Sequence, residues 1–417
     1  MRFAVYTVPA SSHMRVMSGL ARELDSLGHT VCAIGLEDQE PWFRAAGIEF
    51  VSACIQDFPH GEVERRYHPI RTMFGLDVVR EAASVACDVG IGVLKDGERA
   101  VRVSRADALI LDSCARGFEM VAMNLGIPFA HLSAQVHEDY SGGTPPCYFD
   151  WGPDASMEAI ARNKAGVRSL LQLAGPGRAA ALKYLSERGI TPDLSTAYPF
   201  LSKQAWITQV PKEFDFASPL WPEQLFHAGL ISPPEVSTTT EFPWERLTGD
   251  PFIYVTMGTM LNGSAERLRL VVQAAQAKGR QVVVSTGPYL QPDDLGELAE
   301  NTITVSYAPQ IDLLKLADLC ITHGGLNTVL ESLYHGVPLV VLPIGFDQPG
   351  VAARVAHFGV GRFLNTQTPD RDVLAAMIEE VLGDPSYRNA ARRMQEKIAW
   401  QNGAQRAARH LHDVMQR

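Results

Sequence analysis

Short apolar runs alternate with amphipathic segments along most of this chain. The run "RFAVYTV" at 2–8 contains β-branched residues and predicts a buried strand. After it, the apolar residues Val16, Leu20 and Leu24 recur at a spacing close to the helical repeat, and Gly28 follows them as a helix terminator. A second apolar run comes next. Strand, helix and strand at this spacing predict a βαβ unit and a parallel sheet.

The same rhythm continues to about residue 134 and begins again near 251. Runs such as "ADALILDS", "FIYVTMG", "QVVVSTG", "LCITHGG" and "PLVVLPI" are apolar at nearly every position. Strands of a parallel sheet have this pattern because helices cover both of their faces. The stretch in between is looser, and a Pro-, Ser- and Thr-rich segment lies near 230–250. We therefore predict two α/β halves with a cleft between them.

The predicted organisation has four parts, which are an N-terminal α/β domain, a linker, a C-terminal α/β domain and a C-terminal helix. Their respective ranges are 1–229, 230–250, 251–395 and 396–417. In open α/β sheets, ligands bind beyond the carboxyl ends of the strands. The cleft between the halves is therefore the expected location of the functional site.

Composition and charge narrow the class of protein. The 417 residues carry a formal net charge of −10, which argues against a general nucleic-acid binder. The six cysteines include no CxxC pair, so buried reduced thiols are expected. The N-terminal apolar run is too short for a signal peptide, and no run of 18 apolar residues follows it. We expect a cytoplasmic protein. The arginines near the C-terminus suggest either a solvated helix face or peripheral contact with a membrane surface.

The stretch "ITHGGLNTVLESLYHGVP" at 321–338 carries the strongest chemical pattern. Gly324 and Gly325 would allow a ligand to approach the backbone closely. Asn327 and Thr328 fall in the first helical turn, where free N–H groups and the helix dipole favour an anion such as phosphate. His323 adds a donor at the strand end, and Glu331 lies one further turn along the helix, within reach of a ribose diol. By spacing alone, a Gly-rich turn without a ligand remains an equal alternative.

Two other nucleotide-binding patterns are missing. The chain contains no GxxxxGK[ST] sequence, which argues against a P-loop NTPase. No GxGxxG follows a predicted strand, which argues against a dinucleotide dehydrogenase.

Residues 307–348, "YAPQIDLLKLADLCITHGGLNTVLESLYHGVPLVVLPIGFDQ", resemble the donor-binding signature of family 1 nucleotide-sugar glycosyltransferases. The start "PASSHMRVMSGLARELDSLGH" and the stretch "GFDQPGVAARV" are similar to the bacterial branch that contains zeaxanthin glucosyltransferases. The resemblance implies an α/β GT-B fold, in which two Rossmann-like domains with parallel sheets face each other across a deep cleft. It implies that the N-terminal domain (1–229) binds the acceptor, that the C-terminal domain (251–395) binds the donor, and that the last helix (396–417) packs back on the first domain. It also implies an inverting transfer of a sugar that needs no metal or other cofactor.

The resemblance also implies roles for individual residues. Tyr307 would stack on the nucleobase beside Ala308, and Gln310 would contact base or ribose. Asp347 and Gln348 would hydrogen-bond the sugar hydroxyls. Diphosphate and ribose would be held by the residues already named in the 321–338 stretch: His323, Gly325, Asn327, Thr328 and Glu331. The remaining residues implied to line the donor pocket are Gly258, Thr259, Thr286 and Gly287.

The reaction itself needs a base for the acceptor hydroxyl. His13, just beyond the first predicted strand, has an ordinary pKa suited to accepting a proton near neutral pH. Asp112 ends a neighbouring strand and could orient and stabilise the imidazole. The resemblance implies the same pair. The only DxD sequence, Asp370-Arg371-Asp372, follows Thr368-Pro369 and predicts a helix start rather than a metal site.

The predicted function is transfer of a hexose, glucose from UDP-glucose in the first instance, to a hydroxyl of a lipophilic small molecule. A dTDP-deoxysugar donor is the main alternative. A nucleotide-sugar epimerase and a non-catalytic binding protein are two others. The presence of His13 with Asp112 counts against the epimerase, and the presence of His13 and Glu331 counts against the binding protein. The expected partners are a nucleotide sugar and a hydroxylated lipophilic acceptor, with no nucleic acid. In the acceptor half, Tyr148 and Trp151 could touch an apolar acceptor or simply pack.

Overall fold

A computed structural model describes residues 1–231 and 241–416. The part before the gap contains one sheet of seven strands. These strands are β1 (Arg2–Tyr6), β2 (Thr30–Gly35), β3 (Glu49–Ser52), β4 (Ala108–Asp112), β5 (Phe129–Ser133), β6 (Trp206–Thr208) and β7 (Leu225–His227). The helices of this part are α1 (Ser11–Ser26), α2 (Glu40–Ala45), α3 (Glu62–Tyr67), α4 (Leu76–Ser104), α5 (Phe118–Leu125), α6 (Met157–Leu173) and α7 (Gly175–Ser186).

The part after the gap contains one sheet of six strands. They are β8 (Phe252–Thr256), β9 (Gln281–Ser285), β10 (Thr302–Val305), β11 (Leu319–Thr322), β12 (Leu339–Val341) and β13 (Gly361–Phe363). The helices are α8 (Ala265–Ala275), α9 (Gln310–Leu314), α10 (Leu326–Tyr334), α11 (Gln348–His357), α12 (Arg371–Gly383), α13 (Pro385–Ile398) and α14 (Gly403–Met415). Among the described residues, none of the helices is long and apolar enough to cross a membrane.

Both sheets have the same topology. The first has the order β3-β2-β1-β4-β5-β6-β7 and the second the order β10-β9-β8-β11-β12-β13, with parallel pairing between neighbours. In each sheet the chain connections run in opposite directions on the two sides of the first strand in the sequence, β1 or β8. A crevice therefore opens between β1 and β4 in one sheet and between β8 and β11 in the other.

Apolar side chains cover both faces of each sheet. In the first half, one core packs α4 and α5 on the sheet and the other packs α1 and α14 on its opposite face. In the second half, α10, α11 and α13 cover one face, and α8 and α12 cover the other. The uniformly buried strands predicted from the apolar runs are present because helices shield each sheet from water on both sides.

The C-terminal boundary differs from the prediction. The proposed division at 395/396 falls inside α13, whose Ala391, Met394 and Ile398 belong to a core of the second half. The crossing back occurs after α13, and α14 packs against α1 through Ala404, Ala407 and Leu411. The amphipathic pattern of α13 could not reveal which half it covers. Of the predicted linker 230–250, residues 232–240 lie outside the described part of the chain.

Several elements were not predicted. The longest described helix, α4, has small and polar residues among its apolar positions, and the strands β3, β6, β7 and β13 have only three or four residues each. Such short strands give too few alternations to stand out in a sequence. One face of α4 lines the cleft between the two halves.

Candidate active site

The first crevice brings His13 and Asp112 together. Asp112 ends β4 and His13 lies in the first turn of α1, just after the neighbouring strand β1. His13 Nδ1 donates to Asp112 Oδ2 across 2.7 Å. Thr7 Oγ1 donates to the same oxygen, and the backbone N–H of Cys114 donates to Oδ1. Asp112 is completely buried, so these bonds hold it in one orientation, and they leave His13 Nε2 for the cleft.

The environment sets the charge of this pair. Burial by itself lowers the pKa of His13, but the charge of Asp112 and the hydrogen bond to it outweigh burial, and the pKa of His13 is raised. Burial by itself raises the pKa of Asp112, but His13, Thr7 and the Cys114 N–H outweigh it, and the pKa of Asp112 is lowered. The carboxylate is therefore ionised, and it stabilises a protonated imidazole. This is the electrostatic arrangement that a general base needs.

The second crevice brings Gly258 and His323 into contact. Gly258 follows β8 with a φ of +80°, and His323 follows the neighbouring strand β11. A Cβ on Gly258 would lie 2.4 Å from the imidazole of His323, so only glycine permits this approach. Burial, with the charge of Arg267, lowers the pKa of His323 to about 4. The imidazole is therefore neutral at pH 7 and acts by hydrogen bonding rather than by charge.

The helix α10 starts directly behind His323. Its first turn contains Asn327 and Thr328, as predicted from the spacing. Gly325 lines the cleft, whereas the space that a side chain on Gly324 would occupy is filled by Val341 and Gln348. The two predicted glycines therefore have different tasks: Gly325 leaves room beside His323, and Gly324 allows the turn to pack on β12.

Glu331 lies one turn further along α10 and is 1% exposed. Its Oε2 accepts a hydrogen bond of 2.5 Å from Gln310 Nε2. Its Oε1 has no hydrogen-bond partner, and Arg15 Nη2 of the first half lies 3.2 Å from it. Burial raises the pKa of Glu331, and Arg15 and Gln310 counteract this effect only in part.

Asp347 and Gln348 lie at the start of α11. Asp347 Oδ2 accepts from the backbone N–H of Val136 across 2.9 Å, and burial raises the pKa of Asp347. Gln348 Oε1 accepts from the N–H groups of Ile344 and Gly345, which fixes the amide. The Gln348 amide nitrogen is thereby left for other partners.

A single large cavity of about 2040 Å³ connects these elements. It is lined by His13 and by all the predicted donor-binding residues except one. Those in its wall are Gly258, Thr259, Gly287, Tyr307, Ala308, Gln310, His323, Gly325, Asn327, Thr328, Glu331, Asp347 and Gln348. Tyr307 is 55% exposed, so its ring is available for stacking.

Thr286 is the exception, and the prediction that it lines the donor pocket is corrected here. Its side chain is completely buried, and its Oγ1 donates to the carbonyl of Leu290. The next residue, Gly287, reaches the cavity instead. Neighbouring positions at a strand end point in opposite directions, and the sequence motif by itself did not determine which of the two faces inward.

The rest of the cavity extends into the first half and is mainly apolar. Its walls include a small-residue face of α4 and the apolar faces of α6 and α7. The lining residues of these helices include Ala82, Ala83, Ala86, Gly90, Val167, Leu170, Leu171 and Ala181. We call this region the apolar chamber. No motif identified it, because its residues are far apart in the sequence and resemble ordinary core positions.

Polar side chains missed by the sequence reasoning occur where the chamber meets the crevice. Arg116 Nη2 donates to Tyr140 Oη across 2.8 Å and lies 3.5 Å from Glu138 Oε2. Tyr148, one of two aromatic candidates, donates to Glu138 and lines the cavity. The other, Trp151, stacks on Phe149 outside the cavity lining.

One group of metal-ligand side chains is compact enough to consider among the described residues. His13, Asp112 and Cys114 have ligand atoms within 4.8 Å of one another. Burial, followed by the nearby charges of Asp112 and Glu138, raises the pKa of the Cys114 thiol well above its ordinary value. A protonated thiol is a poor metal ligand. Elsewhere, Asp370 caps α12 by accepting from the N–H groups of Asp372 and Val373, so the DxD sequence is a helix start, as predicted.

Comparison with known proteins identifies the family to which this chain belongs. Residues 189–397 match the family described as UDP-glucoronosyl and UDP-glucosyl transferase. The chain belongs to this transferase family. It is therefore a nucleotide-sugar-dependent glycosyltransferase, and the resemblance inferred from residues 307–348 is confirmed.

Relatives of the transferase match over nearly its whole length. It is 26% identical to zeaxanthin glucosyltransferase of Pantoea ananas, over 99% of this chain and 96% of the relative. It is 23% identical to the NDP-glycosyltransferase YjiC of Bacillus subtilis (strain 168), over 99% of this chain and 97% of the relative.

Solved structures of similar fold confirm the predicted GT-B architecture. The glycosyltransferase of kitacinnamycin superposes with a TM-score of 0.75 at 23% identity, covering 99% of this chain and 98% of that one. The calicheamicin glycosyltransferase superposes with a TM-score of 0.74 at 22% identity, covering 100% and 98%. At these identities the likeness concerns the fold of the transferase.

Proposed function

We propose that this transferase moves a hexose, glucose from UDP-glucose in the first instance, to a hydroxyl of a lipophilic small molecule with inversion at the anomeric carbon. The observation that carries the proposal is the position of the His13–Asp112 pair. His13 lines the cavity that contains both the donor motif and the apolar chamber, and it is hydrogen-bonded to the buried Asp112. A base in this cavity can reach an acceptor hydroxyl and a donor sugar together.

The proposed reaction is a single displacement. His13 Nε2 accepts the proton of the acceptor hydroxyl while the hydroxyl oxygen forms a bond to the anomeric carbon. The bond from that carbon to the diphosphate oxygen breaks, and the diphosphate leaves with the electron pair. Asp112 stabilises the imidazolium that results. The first turn of α10 stabilises the leaving group, because its free N–H groups carry partial positive charge.

Donor recognition is proposed to follow the residue roles implied by the family resemblance. Tyr307 stacks on the base, Glu331 binds the ribose diol, and the start of α10 binds the diphosphate. A diol-binding carboxylate favours a ribonucleotide, which supports UDP over dTDP. A dTDP-deoxysugar stays a second candidate, because solved structures of similar fold include complexes with thymidine diphosphate.

The acceptor is proposed to be lipophilic because the chamber beside His13 is lined mainly by Ala, Val and Leu. Burial of apolar surface contributes roughly 25 cal/mol per Å² and has no directional requirement. Such a chamber therefore selects acceptor molecules by their size and shape rather than by the positions of their polar groups. The name zeaxanthin glucosyltransferase, carried by a relative that matches over the whole chain, supports the same acceptor class.

We also propose that the transfer needs no divalent metal. The supporting observation is that helix N–H groups and neutral His323 surround the proposed diphosphate site, where other transferases use a metal ion. Activity is expected to persist in excess EDTA, and restoration of a lost activity by Mg²⁺ would contradict this part of the proposal.

The deciding experiment is a panel of UDP- and dTDP-sugars with a mixed library of lipophilic alcohols, monitored by release of the nucleoside diphosphate. The expected result is release that depends on the acceptor in wild type and falls at least about a hundredfold in His13→Ala. Conversion of the sugar nucleotide without acceptor would favour an epimerase. Tight binding without turnover under any acceptor would favour a binding protein.

A further inference from the structure

The first turn of α1 makes polar contacts across the cleft to three residues predicted to bind the donor. Ser11 Oγ lies 3.1 Å from Thr259 Oγ1. Asn327 Nδ2 donates to the carbonyl of Ser12 across 3.3 Å. The third contact, the ion pair between Arg15 and Glu331, is the only one of the three that joins opposite charges.

Glu331 belongs to the cavity wall but presents almost no surface to a ribose in this arrangement. The residue is 1% exposed, and its Oε1 has essentially no surface in contact with solvent and no hydrogen-bond partner. The guanidinium of Arg15 lies 3.2 Å from that oxygen. A buried, unpartnered carboxylate oxygen is energetically costly, so the contact with Arg15 offsets part of its lost hydration.

Arg15 itself is less constrained. Its side chain is 37% exposed and belongs to the cavity wall. Because the guanidinium of Arg15 is already partly solvated, it can return to water when another hydrogen-bond donor takes its place on Glu331. Moving Arg15 would uncover Glu331 without moving the helix that bears it.

We propose that Arg15 occupies the ribose subsite before the donor binds, and that the donor gains access to Glu331 by displacing it. This inference rests on the proposed function, in which Glu331 binds the ribose diol. Arg15 is then a residue of the acceptor half that sets the affinity for the donor. The exchange also couples the two halves, since Arg15 lies two residues after His13 on α1. Donor binding releases a contact made by the same helix turn that carries the proposed base.

The test uses the neutral nucleoside of whichever diphosphate the wild-type protein binds, so that the charge of Arg15 does not attract the probe. We expect Arg15→Ala to bind uridine up to about fivefold more tightly than wild type, which is the change that about 1 kcal/mol produces. Salt gives a second readout. Because salt screens the ion pair, uridine affinity of wild type should rise with NaCl, and that of Arg15→Ala should stay constant.

Two controls separate this effect from a general change in the protein. Arg15→Lys keeps the charge and should resemble wild type. In a Glu331→Gln background, Arg15→Ala should no longer change uridine affinity, because the competing ion pair is gone. A crystal structure with the bound diphosphate gives the direct view: Arg15 should have left Glu331, and a ribose hydroxyl should lie in its place.

Weaker or unchanged uridine binding in Arg15→Ala would overturn the inference, as would a complex in which Arg15 stays on Glu331. Failure of the proposed function would be distinct. In that case wild type would bind no nucleoside diphosphate, or Glu331→Gln would bind it as well as wild type does.

Discussion

Arg354 of α11 and Asp215 of the first half form an ion pair buried between the two halves. Arg354 Nη2 lies 2.8 Å from Asp215 Oδ1, and the two side chains are 2% and 3% exposed. Arg354 also donates to the carbonyl of Gly350 and lies over the ring of Phe216. The helix that starts at the predicted sugar-binding residues is therefore anchored to the first half of the chain.

Asp215→Asn should lower the free energy of unfolding by roughly 3–5 kcal/mol, because it leaves the Arg354 charge buried without its partner. Asp372→Asn is the matched control, since Asp372 also pairs with an arginine but is 83% exposed. That control should cost less than about 1 kcal/mol. Urea unfolding measures both. Equal effects of the two substitutions would contradict the assignment of Asp215 to a buried pair.

The pH dependence of this pair follows from its pKa. Burial by itself raises the pKa of Asp215, but His137 and Arg354 outweigh burial and hold that pKa far below the ordinary value. A depressed pKa contributes stability above the ordinary aspartate pKa, and that stability is lost as the pH falls through the folded-state value. The difference in stability between wild type and Asp215→Asn, measured by urea unfolding, should therefore shrink as the pH falls below the ordinary aspartate pKa.

Asp112→Asn should lower kcat by roughly 10²–10⁴-fold and move the acidic limb of the kcat/KM profile to lower pH. The reaction needs neutral His13, whose pKa is raised in the folded protein with Asp112 present. Activity of wild type should therefore fall as the pH decreases through that raised value. Removing the carboxylate removes the cause of the increase. A profile that keeps its acidic limb in Asp112→Asn would argue against His13 as the titrating base.

His323 should not titrate between pH 5.5 and 8.5 in the free protein. Its pKa is lowered to about 4, by burial first and by the charge of Arg267 second. NMR with ¹⁵N-labelled histidine measures this, and His323→Gln identifies the signal. Addition of nucleoside diphosphate should raise the pKa, because a nearby anion favours the protonated ring. A free-protein pKa near the ordinary 6.5 would contradict the described burial.

Gly258→Ala should weaken nucleoside diphosphate binding by at least about tenfold, because a methyl group would displace the His323 ring and strain a positive φ. Gly249→Ala separates the two effects. Gly249 has a similar φ of +82°, but a Cβ there meets nothing within 4 Å. The control should cost about 1–3 kcal/mol of stability and leave binding unchanged. Calorimetric titration of both variants is the measurement.

Ala83→Phe should reduce kcat/KM for a bulky lipophilic acceptor by at least about tenfold, because the new ring would fill part of the apolar chamber. The nucleoside diphosphate affinity should not change. Ser84→Phe is the control, since Ser84 is the next residue of α4 and is exposed outside the chamber. If both variants kept full activity toward bulky acceptors, the chamber would not be the acceptor site.

Much of the donor side could be predicted from the sequence because its residues are close together along the chain. Gly325, Asn327, Thr328 and Glu331 belong to one strand–turn–helix unit, and local spacing determines which face of α10 they share. The division into two α/β halves followed from the apolar runs for a similar reason. Buried parallel strands need apolar residues on both faces, so they can be recognised in the sequence as continuous apolar runs.

Features that depend on contacts between distant segments could be determined only from the tertiary structure. The boundary between α13 and α14, the inward side of the Thr286–Gly287 pair, and the shape of the apolar chamber all depend on which surfaces meet. The ion pairs Arg15–Glu331 and Asp215–Arg354 join residues that are 316 and 139 positions apart. Such contacts arise from the packing of the two halves. The hydrophobic repeat of a helix (3.6 residues) or a strand (two residues) carries no information about them.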